Sequence, residues 1–336
     1  GGQRGQGGKN GGSRLGGYQN SPPANEVPKH PFNIITGRLT DRSATVRVMV
    51  WEDARCFLEY GVERDNASDK TQIANLKSGV PFDFILEMLE KDTRYYYRLV
   101  YQAGDVSRKS VEYSVQTQRS VGKPFVFTVQ ADSHLDENTS GEVYLRTLAN
   151  ASADRPDFHF ALGDTFMTGK YLKPEQSHPQ YLAQRYYLGH LCHSAGLYFA
   201  LGNHDGESGN RESNVWATTT RKRYIPNPSP DGFYSGNSFK ETRVGFPENY
   251  YEFEWADAQF IVLDPFRHTV TRGKNDNWYW TLGEAQYRWL ERSLQQSEAK
   301  FCFVFLHHLV GGADRNNRGG SEAAPFWEWG GKGGFR

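Results

Sequence analysis

Residues 28–119 consist of short runs of apolar and polar residues separated by turns. The run at 44–50 alternates small or apolar residues with polar ones, which is the period of a half-buried strand. Short strands at this spacing predict a small N-terminal β-sandwich, followed by a linker at 120–123. The other predicted strands, rich in aromatic and β-branched residues, are 56–60, 82–88, 95–101 and 111–116.

From residue 124 the pattern changes to alternating strands and helices. Apolar runs of strand length stand between longer segments that carry apolar residues at helical spacing. This order predicts an α/β domain over residues 124–336, built on stacked mixed sheets flanked by helices. The predicted strands are 125–129, 158–162, 197–201, 250–255, 259–263 and 301–306, and the predicted helices are 141–151 (apolar side Val143, Leu145, Leu148), 174–192 and 282–296 (apolar side Ala285, Trp289, Leu290).

The segment 205–249 interrupts this alternation. Long loops in compact domains are usually functional or disordered, and the aromatic content of this one favours an ordered lid or wall. Its basic run, Arg221-Lys222-Arg223, is expected to be a solvated face, with contact to a substrate phosphate as the alternative. Elsewhere, His159 is expected to be a hydrogen-bonded core residue and Cys302 a small core hydrophobe.

Length, charge and cysteine content narrow the class of protein. The 336 residues allow two domains, and a net charge of +0 gives no overall field that would recruit nucleic acid or a membrane surface. The apolar runs are too short to span a bilayer, and three distant cysteines do not form a disulfide framework. Residues 1–27 are Gly-rich and expected to be flexible. Because the chain begins without Met and ends in another Gly-rich tract, it is expected to be incomplete on both sides.

Four polar motifs follow strand-like runs in the second half of the chain. Open α/β sheets bind ligands at the carboxyl ends of their strands, which is where these motifs fall. Asp, His and Asn are the hard and borderline ligands that divalent cations need. The motifs are Asp132-Ser133-His134, Gly163-Asp164, Gly202-Asn203-His204-Asp205 and His307-His308.

This set predicts a two-metal hydrolase, because two divalent ions about 3.5–4 Å apart can clamp the attacking and leaving oxygens of a phosphoryl displacement. Asp132 and His134 can point at one ion, and Asp164, on the turn after its strand, is the natural bridge. Singly, Asp132 and Asp164 have a plainer interpretation as helix caps. Four such motifs in order at strand ends argue against that interpretation.

The second ion would take a neutral oxygen from Asn203 and an imidazole from the final histidine pair. Side chains alternate across a strand end, so His307 and His308 should not both face the metals, and which of them ligates stays open. His204 would then donate a proton or a hydrogen bond to the substrate oxygen.

The motif set resembles that of the calcineurin-like metallophosphoesterase superfamily: D-x-H, G-D, G-N-H-[DE], a histidine after an apolar strand, and finally G-H-x-H. Residues 124–310 match the first four motifs, and the β-sandwich before them is similar to the fibronectin-like domain of purple acid phosphatases. The resemblance implies a metal-dependent phosphoric ester hydrolase in which a hydroxide activated by two metal ions attacks phosphorus. It implies His204 as the catalytic histidine, and as metal ligands Asp132, His134, Asp164, Asn203 and, as the first histidine after the strand, His307.

Two departures from the family pattern qualify the resemblance. Purple acid phosphatases have a Tyr three residues after the bridging Asp, where this chain has Met167, and a Gly where it has His134. The resemblance therefore implies two divalent ions, Mn, Fe(II) or Zn, rather than a ferric centre. The final G-H-x-H is absent from the 336 residues, so weak or absent binding of the second ion is expected.

The expected substrate is a small phosphoester, with no nucleic-acid partner and no membrane span. The alternative is a surface-binding module that keeps the fold without turnover. A nuclease of the same superfamily is disfavoured, because the chain has no continuous basic stripe. Fibronectin-like modules ahead of such domains are usual in exported proteins, so the resemblance implies a secreted, periplasmic or cell-surface location.

Overall fold

A computed structural model of the chain describes residues 26–136, 139–208, 212–268 and 282–307. Most of the predicted Gly-rich segment, His308 and the C-terminal Gly-rich tract lie outside the described residues. The first nine strands are β1 Phe32–Gly37, β2 Ala44–Val50, β3 Ala54–Gly61, β4 Asp69–Lys70, β5 Ala74–Leu76, β6 Phe82–Leu86, β7 Arg94–Ala103, β8 Val106–Lys109 and β9 Tyr113–Gln116.

The second half of the chain contains seven strands and four α-helices within the described residues. Short 3₁₀ helices at Thr168–Lys170 and Pro174–Ser177 precede the second α-helix. The strands are β10 Phe127–Gln130, β11 Phe158–Ala161, β12 Gly196–Phe199, β13 Ser235–Gly236, β14 Tyr251–Trp255, β15 Ala258–Val262 and β16 Phe301–Phe305, and the helices are α1 Gly141–Ala153, α2 His178–Cys192, α3 Glu212–Tyr224 and α4 Glu284–Gln296.

The N-terminal strands form two antiparallel sheets that pack as a β-sandwich. One sheet has the order β1-β2-β6, and the other has the order β4-β3-β7-β8 with β5 and β9 at its sides. Val46 and Val48 of β2 share a buried cluster with Leu58 and Leu99 of the facing sheet. The predicted half-buried pattern of 44–50 is wrong, because every residue of β2 is buried. The reason is that the other face of this sheet packs on α2, where Met49 joins a second core.

The second half is a four-layer arrangement of helices and two stacked sheets. The sheet β10-β11-β12 is parallel, and the sheet β13-β14-β15-β16 is mixed. Aromatic rings fill the space between them, with Tyr198 stacked on Phe253 at 4.3 Å between ring centroids. Helices α1 and α2 cover the parallel sheet, and α4 covers the mixed sheet through Trp289. The predicted fold class, a β-sandwich followed by stacked mixed sheets flanked by helices, is confirmed.

In two helices, one of the three residues predicted for the apolar side is exposed. In α1 the buried residues are Tyr144 and Leu148, while Val143 is 62% exposed. In α4 the buried residues are Gln286, Trp289 and Ser293, and Ala285 is exposed. The sequence predicts the helices themselves correctly. Some buried positions, however, hold polar or aromatic side chains that hydrogen-bond inside the fold, and hydrophobicity alone does not predict their burial.

The segment after the third motif contains a helix, α3, and is packed into the fold. The prediction that Arg221-Lys222-Arg223 forms a solvated face is wrong for Arg221, which has no exposed surface and pairs with the buried Glu207 at 2.6 Å. Arg47 of the sandwich donates to the carbonyls of Lys222 and Arg223 at 2.6 and 3.2 Å. Cationic side chains stabilise the carbonyl end of a helix, so this run is where α3 joins the sandwich.

Strands β10 and β16 form edges of their sheets within the described residues. Val129 of β10 is 45% exposed, in line with an edge position. Cys302 is exposed as well, so its prediction as a core residue is wrong. His159 in the central strand β11 is 1% exposed, and its Nδ1 lies 2.8 Å from the hydroxyl of Thr128, which confirms it as a hydrogen-bonded core residue.

Candidate metal centre

The four polar motifs meet at one end of the stacked sheets. Strands β10, β11 and β12 run parallel, so their carboxyl ends lie at the same edge. Asp132 follows β10, Asp164 follows β11, and Asn203 and His204 follow β12. Strand β16 of the other sheet brings His307 to the same place, with its Nε2 atom 3.1 Å from Asn203 Oδ1. The structure thus brings all the predicted site residues together.

The side chains of Asp132, His134 and Asp164 form a cluster that could hold a metal ion. Each offers a ligand atom, and these atoms all lie within 4.8 Å of one another. The Nε2 atom of His134 is 3.4 Å from Asp132 Oδ1 and 3.8 Å from Asp164 Oδ2. It is buried and makes no hydrogen bond to any part of the chain that the structure describes. A buried ring nitrogen that faces two carboxylates fits a divalent cation.

Asp164 lies at the centre of the site, with its two oxygens in different surroundings. Oδ1 accepts a hydrogen bond from the backbone N–H of His204 at 2.8 Å and lies 3.6 Å from His307 Nε2. Oδ2 lies 3.8 Å from His134 Nε2. The carboxylate therefore stands between the Asp132–His134 side and the Asn203–His307 side, as a bridging ligand must.

The second side of the site is oriented by the backbone. His307 Nδ1 lies 2.7 Å from the carbonyl oxygen of Leu162, so Nδ1 carries the proton and donates. The Nε2 atom faces the Oδ1 atoms of Asn203 and Asp164 at 3.1 and 3.6 Å, so these three atoms could hold a cation on this side of the site.

Asp136 is a site residue that the sequence analysis missed. Its Oδ2 atom lies 3.3 Å from His134 Nδ1 and 3.1 Å from Lys170 Nζ. A carboxylate on the distal nitrogen of a metal-binding imidazole fixes the ring orientation and raises its basicity. The signal in the sequence is an Asp two residues after His134 in the first motif.

Asp205 was recognised as part of a motif but given no role. Its side chain has no exposed surface and accepts four backbone N–H groups. Two belong to Gly202 and Asp164, at 2.7 and 3.0 Å, and two to Thr165 and Phe166, at 2.8 and 2.9 Å. Burial raises the pKa of Asp205 to about 6, although the N–H donors favour the anion and so lower the pKa. Asp205 thereby joins the loop of the second motif to the loop of the third.

The glycines of these two motifs, Gly163 and Gly202, pack directly against each other. A Cβ atom added to Gly202 would collide with the backbone N and the Oδ1 atom of Asp164, and one added to Gly163 would collide with Gly202. Gly163 has a φ of +89°, which also favours glycine. The two strand ends can approach this closely only because neither residue has a side chain.

Three of the acidic and imidazole residues stand on a strained backbone. Asp132, His134 and Asp164 have φ values of 55°, 51° and 51°. The left-handed region costs an L-residue roughly 1–2 kcal/mol. Hydrogen bonds from Asp132 N to Gly163 O and from His134 N to Asp164 O, each 3.1 Å, hold the first motif against the second. Such strain is typical of functional sites.

His204 lies beside the cluster with its side chain 38% exposed. Its Nε2 atom is 4.0 Å from Asp164 Oδ2. Burial lowers the pKa of His204, Asp164 raises it, and the nearby Lys170 lowers it further. The imidazole is therefore mostly uncharged at neutral pH and can donate or accept a single hydrogen bond towards the open side of the site.

The helix-cap interpretation of the two aspartates does not hold. Helix α1 is capped by Ser140, whose side chain accepts from Val143 N, and the residue before the 3₁₀ helix Thr168–Lys170 makes no side-chain cap. That residue is Met167, which is 1% exposed.

Solved structures with a similar fold include the following two. A purple acid phosphatase, PPD1 from seeds of yellow lupin (Lupinus luteus), superposes with a TM-score of 0.57 at 16% identity, over 83% of this chain and 51% of that one. PhoD superposes with a TM-score of 0.61 at 14% identity, over 90% of this chain and 66% of that one. The chain thus spans from about half to about two thirds of the length of these proteins.

At these identities the similarity establishes the fold alone: a β-sandwich followed by an α/β domain, as in these two structures. No protein-family model and no curated protein sequence matches the chain. No helix among the described residues is long and apolar enough to cross a membrane.

Proposed function

We propose that this chain carries the metal centre of a phosphoric ester hydrolase. The observation that carries the proposal is the cluster of Asp132, His134 and Asp164 at the strand ends, with the orphaned Nε2 atom of His134 at its centre. The fold of the chain is that of a purple acid phosphatase and of PhoD, which supports the same chemistry.

In this proposal the site holds two divalent ions, Mn, Fe(II) or Zn. Asp132 and His134 would hold the first, Asn203 and His307 the second, and Asp164 would bridge them. Bound divalent ions would lower the pKa of a water molecule and offset the charge of the phosphoryl oxygens. The second ion would take the neutral amide oxygen of Asn203 where the first takes the Asp132 carboxylate, so we expect the second ion to bind more weakly than the first.

Other groups of the chain would position the metal-binding histidines and the substrate. Asp136 orients the ring of His134, and the Leu162 carbonyl orients that of His307. His204, tied to Asp164 through its backbone N–H, would orient the phosphate or assist the departing oxygen from the exposed side of the site. The substrate is proposed to be a small phosphoester, and the location secreted, periplasmic or cell-surface.

The test is metal analysis combined with a panel of phosphate monoesters and diesters. We expect Mn²⁺- or Zn²⁺-dependent hydrolysis and a loss of at least about 100-fold in kcat for Asp164→Ala. Asp154→Ala, at an exposed position after α1, serves as the matched control and should behave like the wild type. His134→Gln removes the ring nitrogen without touching the backbone contacts of Asp164, so it separates loss of a ligand from loss of local structure.

Unchanged hydrolysis in both Asp164→Ala and His134→Gln would refute the proposed site. Stoichiometric metal binding without turnover of any ester would instead support the alternative, a binding module that keeps the metal-bearing fold.

A further inference from the structure

Lys170 ends the 3₁₀ helix that follows the Asp164 turn, and this helix is fixed against the site. The N–H of Gly169 donates to the carbonyl of His204 at 2.8 Å, and a Cβ added to Gly169 would lie 3.3 Å from the same oxygen. The hydroxyl of Thr168 lies 2.9 Å from those of Ser177 and Tyr181. The backbone of Lys170 is therefore held beside His204.

The ammonium group of Lys170 reaches the metal cluster through Asp136. Nζ lies 3.1 Å from Asp136 Oδ2, the same oxygen that lies 3.3 Å from His134 Nδ1. The side chain of Lys170 is 40% exposed while that of Asp136 is 10% exposed, so the ammonium group is open to solvent beside the Asp136 carboxylate.

We propose that Lys170 binds the non-bridging oxygens of the substrate phosphoryl group and that the site therefore favours phosphate monoesters over diesters. This inference rests on the proposed function. A monoester is a dianion near neutral pH, whereas a diester is a monoanion that has lost one charged oxygen. A lysine ammonium acts on phosphate as a point charge, so it gains more from the dianion.

The rival role for Lys170 is only to neutralise Asp136 and so keep His134 in place. That role predicts weaker metal binding and an equal loss of turnover on both ester classes when the charge is removed. Substrate binding predicts a selective loss on monoesters, carried by KM, with the metal content unchanged.

The experiment compares Lys170→Gln, Lys170→Arg and the control Lys173→Gln, an exposed lysine three residues on. Steady-state kinetics use para-nitrophenyl phosphate and bis-para-nitrophenyl phosphate on the Mn²⁺-loaded protein, and metal content is measured on each variant. We expect Lys170→Gln to lower kcat/KM about tenfold for the monoester and less than about twofold for the diester. Lys170→Arg should recover part of the monoester activity, and Lys173→Gln should match the wild type.

Calorimetric titration with inorganic phosphate and with dimethyl phosphate tests the same point without turnover. If the wild type hydrolyses neither ester, the proposed function fails. The inference is still supported if the wild type binds inorganic phosphate more tightly than dimethyl phosphate and if Lys170→Gln weakens the binding of inorganic phosphate about tenfold. Equal losses on both esters, reduced Mn²⁺ content in Lys170→Gln, or no binding of inorganic phosphate by the wild type would overturn it.

Discussion

Replacing Asp205 with Asn should loosen the proposed metal site by weakening the contact between two of its loops. The carboxylate accepts four backbone N–H groups, two on each oxygen. An amide keeps one acceptor oxygen and turns an NH₂ group towards the other two donors. Each buried donor left without an acceptor costs about 1–3 kcal/mol. We therefore expect Asp205→Asn to lower the free energy of unfolding by roughly 3–4 kcal/mol.

The functional consequence follows from where the four donors lie. They belong to Gly202 on the third motif and to Asp164, Thr165 and Phe166 on the second. Loss of these bonds should move Asp164 relative to Asn203, so metal affinity should fall by about 10–100-fold, as for other residues that support ligands. Urea unfolding of the metal-free protein gives the stability, and Mn²⁺ titration gives the affinity.

Asp157→Asn is the matched control. Asp157 is also a buried carboxylate, but it lies just before β11 at the opposite end of the sheet, where it pairs with Arg94 and Arg119 at 2.9 and 2.8 Å. This variant should lose comparable stability and keep its Mn²⁺ affinity. If Asp205→Asn loses less than about 1 kcal/mol, or if both variants bind Mn²⁺ as the wild type does, the proposed link between the loops is refuted.

Three further perturbations test other parts of the structure. Gly202→Ala should lower the free energy of unfolding by about 3 kcal/mol and abolish metal binding, because its Cβ collides with Asp164. The control Gly79→Ala, at φ +69° with no atom within 4 Å of its Cβ, should lower it by only about 1 kcal/mol. Thermal unfolding and Mn²⁺ titration measure the two effects. Burial lowers the pKa of His159 to about 3 from its ordinary 6.5, so the unfolded chain binds more protons between these values. The contribution of His159 to stability is thus complete above pH 6.5 and declines as the pH falls towards 3, by at most about 1.4 kcal/mol per pH unit. Urea unfolding at pH 7 and at pH 5 should therefore show that His159→Leu loses less stability between these two pH values than the wild type does. Arg221→Met should lower the free energy of unfolding by about 3 kcal/mol, because it leaves the buried Glu207 with only the longer contact to Arg267 at 3.8 Å. Glu207→Gln in the same chain should recover part of this loss, and full additivity of the two changes would contradict the buried pair.

The sequence predicts that the candidate ligands lie at one edge of the sheets, because strand ends are defined by local patterns. Apolar runs identify β10, β11, β12 and β16, and the polar residues directly after them need only the rule that parallel strands end at one edge. The same local signals locate α1, α2 and α4 within a few residues. They do not reveal β1 or α3, because the apolar signal is short in the first and the second is rich in polar residues such as Asn214 and Arg221.

What the sequence does not reveal are contacts between residues far apart in the chain. The role of Asp205 depends on backbone donors about 40 residues away, and that of Lys170 on a carboxylate 34 residues away. Likewise, Arg221 was expected on a solvated face because a basic run gives no sign of the buried Glu207 that it pairs with. Pairing of buried charges is a property of the tertiary fold, and a single sequence carries no pattern for it.

The contacts around Asp164 explain how the site can exist before any ion binds. The backbone of Asp132, His134 and Asp164 is strained, and two of their carboxylates stand close together, which is unfavourable without a cation. The opposing stabilisation comes from groups that are not ligands: the glycine contact at Gly163 and the four N–H bonds to Asp205. Because these contacts do not depend on a metal, the candidate site would be preorganised, and less of a bound ion's binding energy would be needed to order the loops.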